Sequence, residues 1–565
     1  MYGKMHSACL YGIEGVMIGV EVDLANGLPQ TNIIGLPDSA IREAVERVRA
    51  AVKNCGYRYP QQRVTINLAP ADLRKEGSAF DLAIALGILT TSGQLMMPDT
   101  QNMLLIGELA LDGSLHPVTG VLSMVEAARR AGLRAVLVPA ENAAEASLIS
   151  GMKVYTADHL RQLPQPMQET DRIIAVSQSA DPNLEPASSL QMSQLPFPVS
   201  VSTGLAAPER PPVTVLTLEH LRYVPSYGLT GAAAAAAAEN MMTEDYSDVL
   251  GQNHVKRALT IAAAGMHNIV LMGPPGTGKT MLIKRLPGIL PELSDTESLE
   301  VTRIFSAAGK LKDAHSGLLR SRPFRSPHHT ISAAGLIGGG GIPRPGEVSL
   351  AHRGILFLDE LPEFSRNVLE VLRQPLEDSV VTISRARAAF TFPAQFLLAC
   401  SMNPCSCGYL GSGGVQQRCT CSPAKIAQYR AKISGPLLDR IDMQVDVPRP
   451  KEWDEQGASL SSAEMRSEVL KVQAIQAERY KNLPISWNSE LSGAALRRYA
   501  GLNKESRLLL NDILESLGLS MRAHDRIIKL ARTIADLETA PDITSAHLAE
   551  AVQYRNLDRH AIAEE

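Results

Sequence analysis

No run of apolar residues in this 565-residue chain reaches the ~18 needed to cross a bilayer. That excludes a transmembrane helix and makes a membrane partner unexpected. Charge of one sign is missing too. Lys and Arg number 55, Asp and Glu 59, for a net charge of −4. No basic field covers the molecule, so any contact with nucleic acid must come from local basic loops. Cysteine is scarce: seven residues, four of them between positions 405 and 421. That argues against a disulfide framework and for a local role. The first residues, Met1-Tyr2-Gly3-Lys4-Met5-His6, lack the uninterrupted apolar stretch of a signal peptide. These absences together predict a cytoplasmic protein. Internal repeats are lacking as well.

What is present is ordinary for a soluble globular chain, 45% apolar and 20% charged. The length predicts three or four domains. Residues 1–162 alternate strand and helix signals. Gly19–Leu24 and Arg63–Leu68 read as strands, Ala40–Val52 as an amphipathic helix, and Leu133–Val138 as a further strand. Residues 163–244 turn rich in Pro, Ser and Gln and include seven alanines, Ala232–Ala238. They read as a partly disordered linker, with Leu216–Leu221 a segment that docks. Residues 245–450 form a nucleotide-binding core with a cysteine-rich insert at 400–425. From 455 to 565 the pattern is helical.

The core announces its chemistry. Gly273-Pro274-Pro275-Gly276-Thr277-Gly278-Lys279-Thr280 fits G-x-x-x-x-G-K-[ST] at every defined position. The apolar run Asn268–Met272 precedes it and a helical pattern, Met281–Leu286, follows. This is a strand, a phosphate loop and a helix. The loop's backbone wraps a triphosphate, Lys279 supplies a point charge and Thr280 a hydroxyl to Mg²⁺. Some 80 residues on, Gly354-Ile355-Leu356-Phe357-Leu358-Asp359-Glu360 reads as a buried strand ending in two acids. Asp359 would hold Mg²⁺ and Glu360 would orient the attacking water. Asn403 ends another apolar run, Leu398–Met402. A strand beside the Asp359 strand would carry it to the γ-phosphate.

Two arginines, a cysteine cluster and a basic hairpin complete the inventory. Arg440, between Asp439 and Asp442, reads either as a surface ion pair or as an arginine finger reaching a neighbouring subunit's nucleotide. Arg522 falls in the first turn of a helix capped by Ser520, where a cation needs an anionic partner such as phosphate. Cys405, Cys407, Cys419 and Cys421 form two C-x-C pairs eleven residues apart. They suit a closed, structural Zn²⁺ site, with reduced thiols or a redox pair as alternatives. Val380–Phe392 reads as a hairpin with Arg385 and Arg387 at its tip. By themselves those two cations read as charges guarding a solvated edge.

This set resembles the AAA+ ATPases, closest to the branch holding magnesium-chelatase ATPase subunits and MCM helicases. Pro323–Thr330, Gly335–Gly341 and Pro345-Gly346-Glu347 are similar to signatures of the ComM/YifB, or Mg-chelatase-like, family. The resemblance covers residues 1–160 and 245–565. It implies an α/β fold: an AAA+ parallel-sheet ATPase core with a C-terminal helical lid, preceded by a Lon-protease-like α/β domain. It implies ATP and Mg²⁺ as cofactors, Asn403 as sensor 1, Arg440 as a finger in trans and Arg522 as sensor 2. It also implies a homo-oligomeric ring, a hexamer, that uses ATP to drive branch migration of DNA in homologous recombination, notably natural transformation. In the resembling helicases a hairpin before sensor 1 and a second insert, here Gly338–Gly341, grip DNA in the ring pore. A metal-chelatase motor and a protein-remodelling ATPase are the alternatives. Lys75–Ala83 and Gly107–Gly120 resemble the Lon protease domain. The nucleophile position falls at Ala79 and the base position near Leu122, so the dyad is absent and a scaffold is expected.

Overall fold

Period-two burial builds the first of the two large sheets. The computed structural model describes residues 1–75, 77–96, 102–163, 214–215, 218–224, 244–311, 317–340, 343–385, 388–411, 418–449, 459–518 and 520–555. The chain divides into two units, Met1–Ser226 and Tyr227–Glu565. In the first, strands β1 (Tyr2–Tyr11), β2 (Glu14–Ala25), β3 (Gln30–Ile34), β4 (Arg63–Ala69), β5 (Met103–Leu105), β6 (Ala135–Pro139) and β7 (Lys153–Ala157) lie in the order β7-β6-β5-β1-β2-β4-β3. The β1–β2 and β2–β4 pairs are antiparallel and the others parallel. Ile18, Val20, Val22 and Leu24 of β2 alternate into the core.

Helix α1 (Ser39–Asn54) starts where the Asp38 carboxylate accepts the Ile41 amide at 2.8 Å. Ile41, Ala44, Val45, Val48, Ala51 and Val52 bury along one face, as their helical spacing requires. Helix α2 (Asp81–Thr91) packs against α1, β1 and β2 and is apolar nearly all round. Its buried Asp81 takes both arms of Arg47 from α1, at 2.9 and 3.2 Å. Leu218 and Leu221 sink into the same core, and the Tyr223 amide donates to the Val154 carbonyl at 2.9 Å. The first unit thus takes in part of the stretch expected as a linker. Most of that stretch, with its alanine run, lies outside the described residues.

The second unit is built on a five-stranded parallel sheet. Its strands are β8 (Ile269–Met272), β9 (Phe324–Arg325), β10 (Ile355–Leu358), β11 (Leu397–Met402) and β12 (Met443–Asp446), in the order β9-β10-β11-β8-β12. Every pairing is parallel. Ile269, Leu271, Ile355, Phe357, Leu397 and Ala399 face one hydrophobic core, while Val270, Met272, Leu356, Leu358, Leu398 and Cys400 face another. Burial on both sides explains why these strands read as continuous apolar runs. Cys400, one of the cysteines outside the cluster, packs as a small apolar side chain, fully buried.

The C-terminal stretch is helical, as expected: α3 (Ser462–Tyr480), α4 (Gly493–Tyr499), α5 (Lys504–Ser516), α6 (Met521–Leu537) and α7 (Ser545–Gln553). It shares one hydrophobic core with the inner sheet face through Val469, Val472, Ile527, Leu530 and Ile534. Polar ties reinforce that packing. Gln476 donates to the Ala264 carbonyl at 2.7 Å, and the Gln444 amide at the sheet edge donates to the Tyr554 carbonyl at 2.7 Å. No helix among the described residues is long and apolar enough to cross a membrane.

Candidate nucleotide and nucleic-acid site

Three loops leave the carboxyl ends of β8, β10 and β11, and they carry the expected nucleotide residues to one place. The loop after β8 turns through Gly276 and Gly278, with φ of 79° and 83°. Only glycine takes that backbone without strain. A helix then begins at Lys279. The Lys279 ammonium donates to the carbonyls of Gly273 (2.7 Å) and Pro274 (2.9 Å) and to Asn403 Oδ1 (3.2 Å). Strand pairing β10–β11 sets Asn403 beside the acids, as the sequence predicts. Burial pushes Lys279 below its ordinary pKa, while Asp359 and Glu360 pull it back up. The Thr277 hydroxyl closes the loop onto the Pro274 carbonyl at 3.0 Å.

Thr280 Oγ1 donates to Asp359 Oδ2 at 3.0 Å, and Ser401 donates to the other carboxylate oxygen. A hydroxyl and a fixed carboxylate are hard oxygen donors, the kind Mg²⁺ takes together with phosphate and water. The residues present therefore fit ATP with Mg²⁺. Glu360 is exposed, and its backbone is left-handed with φ 54°. Its amide donates to Asp359 Oδ1 (3.2 Å) and Ser401 Oγ (3.3 Å), and its carboxylate makes no hydrogen bond among the described residues. That leaves the carboxylate available for a water. Sequence reasoning missed Ser401; a lone hydroxyl two positions before Asn403 in an apolar run was the available signal.

The arginines lie elsewhere. Arg440 is nearly buried; it pairs with Glu377 and donates to the Pro436 carbonyl at 2.5 Å. Arg522 is more than half exposed and stands 4.0 Å from the same Glu377 carboxylate. The hydrogen bond from Arg440, with Arg522 and Arg526 nearby, holds Glu377 below the usual carboxylate range. A cavity of about 310 Å³ adjoins them, lined by Arg322, Arg353, Phe396, Asn268 and Asp442 among others. These five residues precede the five strands. Arg440 and its partner therefore sit at the amino ends of the sheet, while the phosphate loop, Asp359 and Asn403 sit at the carboxyl ends. A strand of four to six residues separates the two by roughly 13–20 Å. Glu377, the residue that joins the two arginines, carried no signal in the sequence beyond its charge.

Beneath Arg440, Asp442 joins core to helical region. Its carboxylate accepts from the Asn268 amide (3.0 Å) and Arg526 (3.1 Å), with His267 at 3.7 Å. Burial pushes this carboxyl up, but Arg526, His267 and Lys529 more than offset it and leave it far below the carboxylate range.

The expected hairpin forms between Val380–Arg385 and Ala388–Pro393, Arg385 opposite Ala388. Its root is buried at Val381 and Phe392, and Ser384 and Arg385 are exposed toward the tip. Arg385 donates to the Gly340 carbonyl at 2.8 Å. Hairpin and glycine insert therefore meet. Arg387 and Gly341 lie outside the described residues. Two signature segments also hold each other: Arg325 donates to Glu347 at 2.6 Å.

In the first unit, Ala79 and Leu122, where a Lon-type nucleophile and base would stand, are buried. The neighbouring Ser78 hydroxyl is bound to Glu108, and the Lys75 ammonium to the Pro70 carbonyl.

A parallel sheet bearing a phosphate loop, a pair of acids and an asparagine at its carboxyl ends, with a helical region packed on one face, defines an AAA+ ATPase core. Comparison with known proteins agrees. Residues 245–455 match the family described as magnesium chelatase, subunit ChlI; residues 20–142 match subunit ChlI of Mg-chelatase; residues 459–555 match its C-terminal part. The uncharacterized protein YifB of Salmonella typhimurium is 42% identical over 558 residues, covering 98% of this chain and 97% of its own length. Competence protein ComM of Haemophilus influenzae is 40% identical over the same span, with the same coverage. The magnesium-chelatase 38 kDa subunit of Rhodobacter capsulatus is 24% identical over 237 residues, 39% of this chain and 60% of its own. The chain belongs to the ComM/YifB family of Mg-chelatase-like AAA+ proteins.

Proposed function

We propose that this chain is a cytoplasmic, ring-forming ATP-driven DNA translocase that promotes branch migration in homologous recombination, including that of DNA taken up in natural transformation. The observation that carries the reading is the meeting of the exposed Arg385 tip with the Gly338–Gly340 insert at 2.8 Å. It supplies a localised guanidinium grip for phosphates on a chain with no overall basic charge. The name of the Haemophilus relative, a competence protein, points the same way.

In this reading Lys279 neutralises the terminal phosphate oxygens, Asn403 holds one of them, and Glu360 aligns and polarises the attacking water. Mg²⁺, held by Thr280 and Asp359, would draw charge from the phosphates. Arg440 and Arg522 stand at the far end of the sheet, so the nucleotide they can serve is a neighbouring subunit's. A site completed by the next copy favours head-to-tail assembly closing into a ring, with six subunits by family resemblance. The purified chain's ATPase should rise several-fold with single- or double-stranded DNA and stay flat with unfolded protein or a metalloporphyrin. Stimulation by either of the latter, and none by DNA, would transfer the chain to the remodelling or chelatase class.

A further inference from the structure

Four sulfurs converge directly behind the sensor asparagine. Cys405 follows Asn403 with only Pro404 between, Cys407 comes two residues later, and Cys419 and Cys421 lie further along the chain. Sγ separations are 3.3 Å for Cys405–Cys407, 3.6 Å for Cys407–Cys419 and 3.7 Å for Cys405–Cys419, and all four sulfurs lie within 4.8 Å of one another. A tetrahedral ion with bonds of ~2.3 Å to sulfur sets edges of about 3.8 Å. The three separations among Cys405, Cys407 and Cys419 fall close to that and far from the ~2.05 Å of a disulfide, and Cys421 lies within 4.8 Å of each of them. Backbone amides of Tyr409 and Thr420 are turned to the Cys407 sulfur and that of Cys421 to the Cys419 sulfur. Such donors steady thiolates around a metal.

The cluster also touches the nucleotide site. Gly408 has φ 85°, and a Cβ placed there would lie 2.8 Å from Pro275 Cδ and 3.9 Å from Asn403 Cγ. The segment that carries the sulfurs therefore leans on the phosphate loop and on the sensor together. Lys279, which donates to Asn403, lies between the two.

We propose that Cys405, Cys407, Cys419 and Cys421 bind one Zn²⁺, and that this closed centre is a positioning element of the ATP site. Four thiolates select a soft, tetrahedral ion and leave no open position for chemistry. The metal's work is mechanical: it pins residues 404–408, and through them the Asn403 amide and the Pro275 flank of the loop. The turnover part rests on the ATPase reading; the metal part does not.

The test uses the full chain purified without chelators. Elemental analysis should find about one zinc per chain, and cobalt exchange should give the visible bands of a tetrahedral thiolate site. Cys405→Ser with Cys407→Ser should lose the metal and drop ATP turnover about ten-fold or more, with affinity for a fluorescent ATP analogue changed by less than about three-fold. Should that variant fold poorly, Gly408→Ala provides an independent arm: zinc is retained while turnover falls, because the added methyl meets Pro275. Chain without zinc and without cobalt bands would overturn the site. Metal-free chain or the Gly408 variant turning over at the wild-type rate would overturn the positioning role. Zinc-loaded wild type with no ATPase under any condition would instead overturn the ATPase reading and leave the zinc site standing.

Discussion

Glu360 holds a left-handed backbone, φ 54°, which costs a non-glycine residue about 1–3 kcal/mol. Two hydrogen bonds from its amide, to Asp359 and Ser401, keep it there. Its carboxylate makes no hydrogen bond among the described residues, which suits the water-aligning role proposed for it. On the proposed reading, Glu360→Gln keeps the backbone and the Mg²⁺-holding residues but loses the carboxylate that polarises the water. ATP binding should survive within a few-fold, while steady-state turnover falls by about 10²–10⁴. Single-turnover hydrolysis beside an ATP-binding titration checks this, and wild-type turnover in the variant would remove Glu360 from the reaction. Ser401 acts one step further out. Ser401→Ala frees one oxygen of Asp359, so the Mg²⁺ concentration for half-maximal ATPase should rise about 10-fold or more, with little change at saturating Mg²⁺. A Mg²⁺ titration reads this directly.

Elements bring these residues together, and the sequence revealed them unevenly. The phosphate loop, the acidic strand end and the sensor strand were legible because each joins a buried apolar run to a polar stop. Parallel topology then leaves few ways to arrange them. The hairpin was legible from its two β-rich runs. Less visible was what crosses between elements. Glu377, Asp442 and His267 come from separate segments, and no local spacing marks that they meet around Arg440 and Arg526. The docking of Leu218 and Leu221, by contrast, was legible as a short apolar spacing in a Pro- and Ser-rich stretch. Asp442 gives this scale its own prediction. Its carboxyl is depressed in the fold, so its contribution is present above the unfolded pKa near ~4 and is lost as pH falls toward the folded value. Asp442→Asn leaves the half-buried Arg526 without this partner and should cost about 1–3 kcal/mol at pH 7. The gap between variant and wild type should hold from pH 5 to 8 and narrow below pH ~4. Denaturant melts across pH check this; a gap that widened in acid would contradict it.

At the scale of the whole molecule, the decisive feature is the opposition of the two sheet ends. In the proposed assembly Arg440 serves the next subunit's nucleotide and not its own, a strand's length away, so the Arg440→Ala chain should bind ATP normally and lose roughly 10³–10⁵ in turnover. Mixed with Glu360→Gln subunits it should recover part of the activity, because some interfaces then pair an intact finger with an intact base. Mixed rings that stay inactive would argue that Arg440 acts within its own subunit. The proposed DNA motor activity is tested most directly by ATP-driven migration of a branched DNA junction, compared between the wild-type chain and Arg385→Ala plus Arg387→Ala. Wild type should move the junction; the double variant should bind DNA more weakly at every sequence, with a salt slope lower by about one to two, and should not move it while basal ATPase persists. A double variant that binds with unchanged salt slope and still migrates the junction would contradict the account.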